Sequence, residues 1–286
     1  MVHTRQNQSS LTAAQKKRFV SALLAVKRKG QYDEFVRMHV AYYSGDGDGG
    51  QRVAHMAPTF LPWHRQFLLE FEGALQRVDP GVSVPYWDWT VDRSPTSSLW
   101  GEGFLGGNGR RSDRRVMTGP FAYGSGHWPI TEGVTEDKFL TRDFGRPHDP
   151  IELPTKDELA WAMRDSLYDS APWNSTSSHG FRNKIEGWTS GAGKGKFRNH
   201  NRVHRWVGGH MLGAASVNDP VFWLNHAFVD LLWSRWHRKY PDSAPYLPAG
   251  GTTTGTRRVV TLDEPMPPWK VKPSSMIEHG HLYRYA

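Results

Sequence analysis

Fourteen histidines stand in 286 residues, and four of them fall where helical periodicity turns side chains inward. His39 follows Phe35 by four residues and Val36 by three, so the three share one helix face. His200 and His204 are one turn apart and present two imidazoles side by side. His226 belongs to the series Phe222, His226, Val229, Trp233, the apolar stripe of its segment. A buried imidazole left without a partner costs about 1–3 kcal/mol, and a metal ion is one partner that satisfies it. Taken alone, each of these residues reads more readily as a hydrogen-bonded core histidine, and the His200–His204 pair is balanced between that and ligation. Inward histidines on two further helices tip the set toward a metal.

The choice of metal follows from the donors. The chain has no cysteine, which excludes thiolate zinc sites, iron–sulfur clusters, disulfide scaffolds and cysteine nucleophiles. The helices that carry these histidines lack the Glu-x-x-His pattern of di-iron bundles and the His-Glu-x-x-His of zinc proteases. All-imidazole ligation suits zinc or copper. Two three-histidine sets on a helical core would leave each metal open to a shared small ligand, an arrangement for dioxygen chemistry at paired copper.

The elements that must hold these side chains are mostly helices. The pattern predicts a helix from Thr12 to Lys29, opened by a Thr12/Gln15 capping box and stopped by Gly30. Others are expected over Tyr32–Tyr43, Phe60–Val78 with Pro62 in the first turn, Lys156–Tyr168, His200–Val207 and Val221–Tyr240. Asn218-Asp219-Pro220 is a start signal for the last of these. Gly45–Gly50 and Thr189–Lys196 are glycine-rich and read as loops. From Pro80 to Pro154 turn residues dominate, with Val82–Trp87 as a short extended piece, and the Pro- and Gly-rich tail from Pro241 can supply a few short strands. The expectation is one domain over 1–286, mainly α, with a four-helix core wrapped by long loops.

Composition supports a packed core: 37% of residues are hydrophobic and 13 are tryptophan. The formal charge of +8 raises the question of a nucleic-acid partner. The basic residues lie scattered in short groups without a helix-turn-helix or zinc-finger pattern, so they read as solvated surface and no nucleic-acid binding is expected. No run approaches the ~18 apolar residues of a membrane span. The polar start leads into no apolar stretch. The chain is therefore expected to lack a secretory signal and to be cytoplasmic, or to leave with a partner that carries the address.

Over almost its whole length the sequence resembles the tyrosinase family of type 3 copper proteins, and most closely the compact bacterial tyrosinases and o-aminophenol oxidases. The first copper motif is His39, then His55, then His64 within Phe60-Leu61-Pro62-Trp63-His64-Arg65-Gln66-Phe67. The second is His200-Asn201-Arg202-Val203-His204 followed by Asn218-Asp219-Pro220-Val221-Phe222-Trp223-Leu224-Asn225-His226. Tyr86-Trp87-Asp88-Trp89 is a further family segment. The resemblance implies two copper ions per chain, one on His39, His55 and His64 and the other on His200, His204 and His226, with O2 as co-substrate. Spacing alone would not have picked out His55. His127, His148, His179, His210, His237, His279 and His281 are left as surface or structural residues.

The resemblance also implies a reaction: oxidation of o-diphenols to quinones and of o-aminophenols to quinone imines. Monophenol hydroxylation needs an additional deprotonation, and Glu186 and Asn201 match the positions that hold the water for it. Asn225 stands where close relatives have a histidine, which removes an imidazole that could titrate near neutral pH. Leu212 matches an entrance position that is often smaller, and Arg205 is either a surface residue or a contact for a substrate carboxylate. These departures lead us to expect an o-diphenol and o-aminophenol oxidase with weak monophenol hydroxylation. A full tyrosinase in pigment formation and a hemocyanin-like O2 carrier are the alternatives. A small copper-delivery helper protein is a family expectation.

Overall fold

The computed structural model describes residues 2–43, 52–133, 136–188, 197–243, 246–248, 253–254 and 257–286; the expected loops Gly45–Gly50 and Thr189–Lys196 lie outside them. The helices are α1 (Ala13–Arg28), α2 (Gln31–Tyr43), α3 (Phe60–Gln76), α4 (Lys156–Met163), α5 (Phe181–Glu186), α6 (Asn199–Val207) and α7 (Val221–Lys239). Both hydrogen bonds of the Thr12/Gln15 capping box form at the head of α1. That helix buries Phe19, Leu23 and Val26 against α2 and α3.

The central pair is α3 and α7. Phe71 of α3 lies flat on Trp223 of α7 with ring centroids 3.7 Å apart, and Phe67 packs on the same indole at 4.8 Å. Such contacts between large aromatic side chains dominate core energetics. Here they lock the helices that carry His64 and His226. Asp219 accepts the Val221 N–H at the head of α7, which closes one of the helix's open donors. Its two carboxylate oxygens also take Arg142 Nε at 2.6 Å and Nη2 at 2.8 Å. Arg142 is fully buried and its Nη1 donates to the carbonyls of Leu105, Gly106 and Gly107. Arg142→Leu strands the Asp219 charge in the interior and is expected to destabilise the protein by about 3–5 kcal/mol. Urea unfolding of the copper-free variant checks this; a loss below about 1 kcal/mol, typical of a solvent-exposed pair, contradicts it.

Strands are few. β1 (His3–Arg5) runs parallel to β4 (Tyr283–Tyr285), and β2 (Thr253–Thr254) pairs antiparallel with β3 (Arg257–Arg258). The β1–β4 ribbon is anchored by charge. Arg5 donates to Glu72 of α3 at 2.9 Å and to Asp230 of α7 at 3.3 Å, with its guanidinium 3.6 Å over the Tyr283 ring. Arg65 of α3 joins Asp230 from the other side at 2.6 Å. The two ends of the described chain are thereby tied to the helices of the histidine cluster.

One expectation needs correction. The helix from Lys156 stops at Met163 instead of Tyr168, because the Asp165 carbonyl is taken by the Trp236 indole and its carboxylate by the N–H groups of Leu167 and Gly180. Among the described residues the Val82–Trp87 piece pairs through the isolated bridge from Asn7 to Tyr86 and builds no longer strand. The short helix α5 was not expected at all. Six residues are too few to display a period. Its end depends on Gly187 at φ +108°, where a Cβ would sit 2.0 Å from the Arg198 carbonyl oxygen.

Candidate metal centre

Six imidazoles converge in the helical core. His39 comes from α2, His55 from the segment before α3, His64 from α3, His200 and His204 from α6, and His226 from α7. One ring nitrogen from each of His39, His55 and His64 lies within 4.8 Å of the others, and the same holds for His200, His204 and His226. The two triads touch. The rings of His64 and His226 stack with centroids 4.1 Å apart, and His55 and His200 are 6.3 Å apart.

The hydrogen bonds show which nitrogen each ring offers. Nδ1 of His39 meets the Ala214 carbonyl at 2.6 Å, Nδ1 of His64 the Phe60 carbonyl at 2.9 Å, and Nδ1 of His204 the Met211 carbonyl at 2.8 Å. A carbonyl only accepts, so each neutral ring carries its proton on Nδ1 and turns the Nε2 lone pair inward. Those three Nε2 atoms are buried and have no partner among the described residues. Nε2 of His200 faces Nε2 of His226 at 3.2 Å. A neutral His226, whose Nδ1 is buried without a partner among the described residues, can donate Nε2–H across this gap, and a cation held there would take both lone pairs and shift that proton to Nδ1. Burial lowers the basicity of all six rings, to about 3 for His39 and about 4 for His204. Neutral, convergent, unpartnered imidazoles are the donor set that a pair of copper ions fits.

A cavity of about 260 Å³ opens onto His55, His200 and His204. Its walls include Tyr43, Met56, Trp188, Phe197 and Met211, none of which the sequence reading had singled out. Asn201, Arg205 and Leu212 also line it, so the structure brings these three expected residues to the site. Leu212 is 40% exposed at the rim. The Arg205 guanidinium lies 4.5 Å over the Phe197 ring, with the Asp149 carboxylate 3.9 Å away. Asn201 turns Oδ1 to His200 Nδ1 at 3.0 Å.

Two expected residues stand behind the cavity. Glu186 is fully buried, and its oxygens are already bonded, Oε1 by the Met56 N–H at 2.7 Å and Oε2 by Arg182 at 2.9 Å. Burial raises its pKa while Arg182 opposes the rise. Asn225 accepts the Trp89 indole N–H at 3.1 Å and is absent from the cavity lining. Arg182 itself went unnoticed in the sequence, although its place four residues before Glu186 is the spacing of a helical ion pair.

The family description "Common central domain of tyrosinase" matches residues 29–239. A tyrosinase of Streptomyces antibioticus is 52% identical over 282 residues, covering 98% of each chain. The chain belongs to the tyrosinase family. Grixazone synthase of Streptomyces griseus is 44% identical over 311 residues, covering 100% of this chain and 99% of that one. Among solved structures, a polyphenol oxidase from Thermothelomyces thermophila superposes with a TM-score of 0.74 at 19% identity over 100% of this chain and 89% of that one. A functional unit of octopus hemocyanin does so at 0.58 and 20%, over 99% of this chain and 68% of that one; at such identities the likeness is one of fold. As a tyrosinase-family member the protein is a copper-dependent oxidoreductase with O2 as co-substrate, and its two histidine triads fit the binuclear site. No helix among the described residues is long and apolar enough to cross a membrane.

Proposed function

We propose that this protein is an oxidase of o-diphenols and o-aminophenols that hydroxylates monophenols only weakly. His39, His55 and His64 hold one copper, and His200, His204 and His226 hold the other. The copper pair, when bound, activates O2 and takes two electrons from the substrate. The chain's own residues supply the rest. The cavity of about 260 Å³ lies against His200 and His204 and is walled largely by aromatic and apolar side chains, a lining suited to one aromatic ring. The carbonyls on Nδ1 orient His39, His64 and His204, and burial keeps the rings neutral.

The observation that carries the reading is the state of Glu186. An o-diphenol or o-aminophenol gives up two electrons and two protons to become the quinone or quinone imine, and the site needs only to hold it at the metals. A monophenol must in addition lose its proton on binding. Glu186 is the carboxylate proposed to orient a water for that step with Asn201, and both of its oxygens are already bonded by Met56 and Arg182. The Leu212 side chain at the rim and Arg205 beside it are proposed to select among substrates. Asn225 is proposed to act at one remove, through Trp89 and through its peptide link to His226. A small helper protein that delivers copper is part of the same proposal.

The deciding experiment compares rates on a monophenol, a catechol and an o-aminophenol with copper-loaded protein. The catechol and the aminophenol are expected to turn over much faster than the monophenol. Equal rates overturn the proposal in favour of a full tyrosinase, the reading that the name of the 52%-identical relative favours. Reversible O2 binding without quinone formation would make it a carrier instead.

Glu186→Gln keeps the size and the acceptor while removing the charge. Residual monophenol hydroxylation should fall by about 100-fold or more, the scale of a lost proton-transfer partner, with catechol oxidation changed only a few-fold. An equal loss on both substrates would assign the charge to structure alone.

A further inference from the structure

We propose that Arg182 is a positioning residue for the copper pair, gripping Glu186 so that Glu186 clamps the segment carrying His55 to the helix carrying His200. The inference rests on the copper assignment proposed above.

His55 is the one expected ligand that no helix holds. Among the described residues its ring makes no hydrogen bond, and its Nδ1 is buried without a partner. His39, His64 and His204 are each fixed by a carbonyl. The direction of the His55 ring therefore depends on its backbone. The next residue, Met56, sits at φ +53°, a conformation that a non-glycine residue keeps only when its surroundings impose it. The Met56 N–H donates to Glu186 Oε1 at 2.7 Å. The backbone carbonyl of the same Glu186 accepts from His200 Nδ1 at 3.2 Å. One residue thus reaches both triads, by its side chain to the first and by its main chain to the second.

Glu186 is held in turn by Arg182. Its Nη1 donates to Glu186 Oε2 at 2.9 Å, while Nε and Nη2 take both oxygens of Asp169 at 2.8 and 2.9 Å. All three side chains are fully buried. A planar guanidinium can bridge two carboxylates at fixed angles, and a lysine ammonium on a flexible stem cannot. Tyr168, next to Asp169, donates to the Pro58 carbonyl at 2.7 Å, so the segment behind Arg182 also grips the far end of the His55 segment.

The test measures copper binding as well as catalysis. Arg182→Lys keeps the charge and loses the fork. Glu186→Ala removes the clamp but leaves Arg182 paired with Asp169, so the fold survives even where Arg182→Lys fails to fold. Glu186→Gln retains an oxygen for the Met56 N–H. Titration with Cu(I) against a chromophoric chelator gives affinity and stoichiometry, and the electron paramagnetic resonance spectrum of the Cu(II)-loaded protein shows whether the ions are coupled. Glu186→Ala and Arg182→Lys are expected to lose about 10–100-fold in affinity for one of the two ions and to show the signal of a lone Cu(II). Glu186→Gln, which can keep the Met56 bond but not the charge pair with Arg182, should lose clearly less affinity than Glu186→Ala. Two tightly bound, coupled ions in Glu186→Ala overturn the clamp alone. So does a Glu186→Gln variant as defective as the alanine one. An unaltered chain that binds no coupled pair overturns the copper assignment and the clamp with it.

Discussion

His204→Ala is expected to leave one copper per chain and almost no oxidase activity. The variant removes one of the three ring nitrogens that converge on the second ion, together with the Nδ1 bond to Met211 that aims it. Two imidazoles remain, one of them facing the other across 3.2 Å, and neither replaces the missing donor. Changes to groups that merely orient a ligand cost about 10–100-fold, so loss of a ligand itself should exceed 100-fold. Metal analysis of the purified variant and its rate on a catechol check both parts. The control is His210→Ala. His210 is also buried, but its Nδ1 accepts from the Thr141 N–H at 3.0 Å and it belongs to neither triad. That variant should keep both ions. Unchanged copper in His204→Ala would remove the assignment at its root.

Mild acid is expected to unfold the copper-free protein well before it unfolds the loaded one. Burial holds the imidazoles below the ordinary histidine value of about 6.5, with His39 at about 3 and His204 at about 4. Between those values the unfolded chain binds protons that the folded chain refuses, so stability falls as the pH falls. The contribution is complete above about pH 6.5 and is lost progressively on the way down to the folded values. A tenfold difference in proton affinity between the folded and unfolded chain is worth about 1.4 kcal/mol. His39 and His204 together therefore represent several kcal/mol, against a typical total of about 5–15 kcal/mol for a folded domain. Bound copper occupies the same lone pairs and postpones the transition until protons displace it. Circular dichroism followed from pH 7 to pH 3, with and without copper, reads the difference. Coincident transitions, or a copper-free chain indifferent to pH over that range, would contradict it.

The histidines on helices were legible because helical periodicity places a side chain relative to its immediate neighbours. His39 among Phe35 and Val36, the one-turn pair His200 and His204, and His226 in its apolar stripe could all be read inward without coordinates. His55 could not, since it lies on an irregular segment and only the family motif named it. Arg182 and Asp169 were missed for a related reason. Thirteen residues separate them in the chain, and nothing local tells that their side chains meet. Asn225 shows the reverse case. Its neighbour His226 marked it for attention, yet a helix turns adjacent side chains about 100° apart, and the structure gives it to Trp89.

By itself the sequence determined the donor chemistry: many imidazoles, no thiol, and helices whose apolar faces carry the histidines inward. Those properties are local, set by residue type and a period of a few residues. The family motifs already grouped the six ligands, and the fold added what no motif carries: that the triads touch through His64 and His226, and that both oxygens of Glu186 are already bonded. The contacts of His64 with His226 and of Met56 with Glu186 join segments more than a hundred residues apart in the chain. Such contacts are chosen by the packing of α3 on α7 and of the loops around them, and that choice is made by the core as a whole.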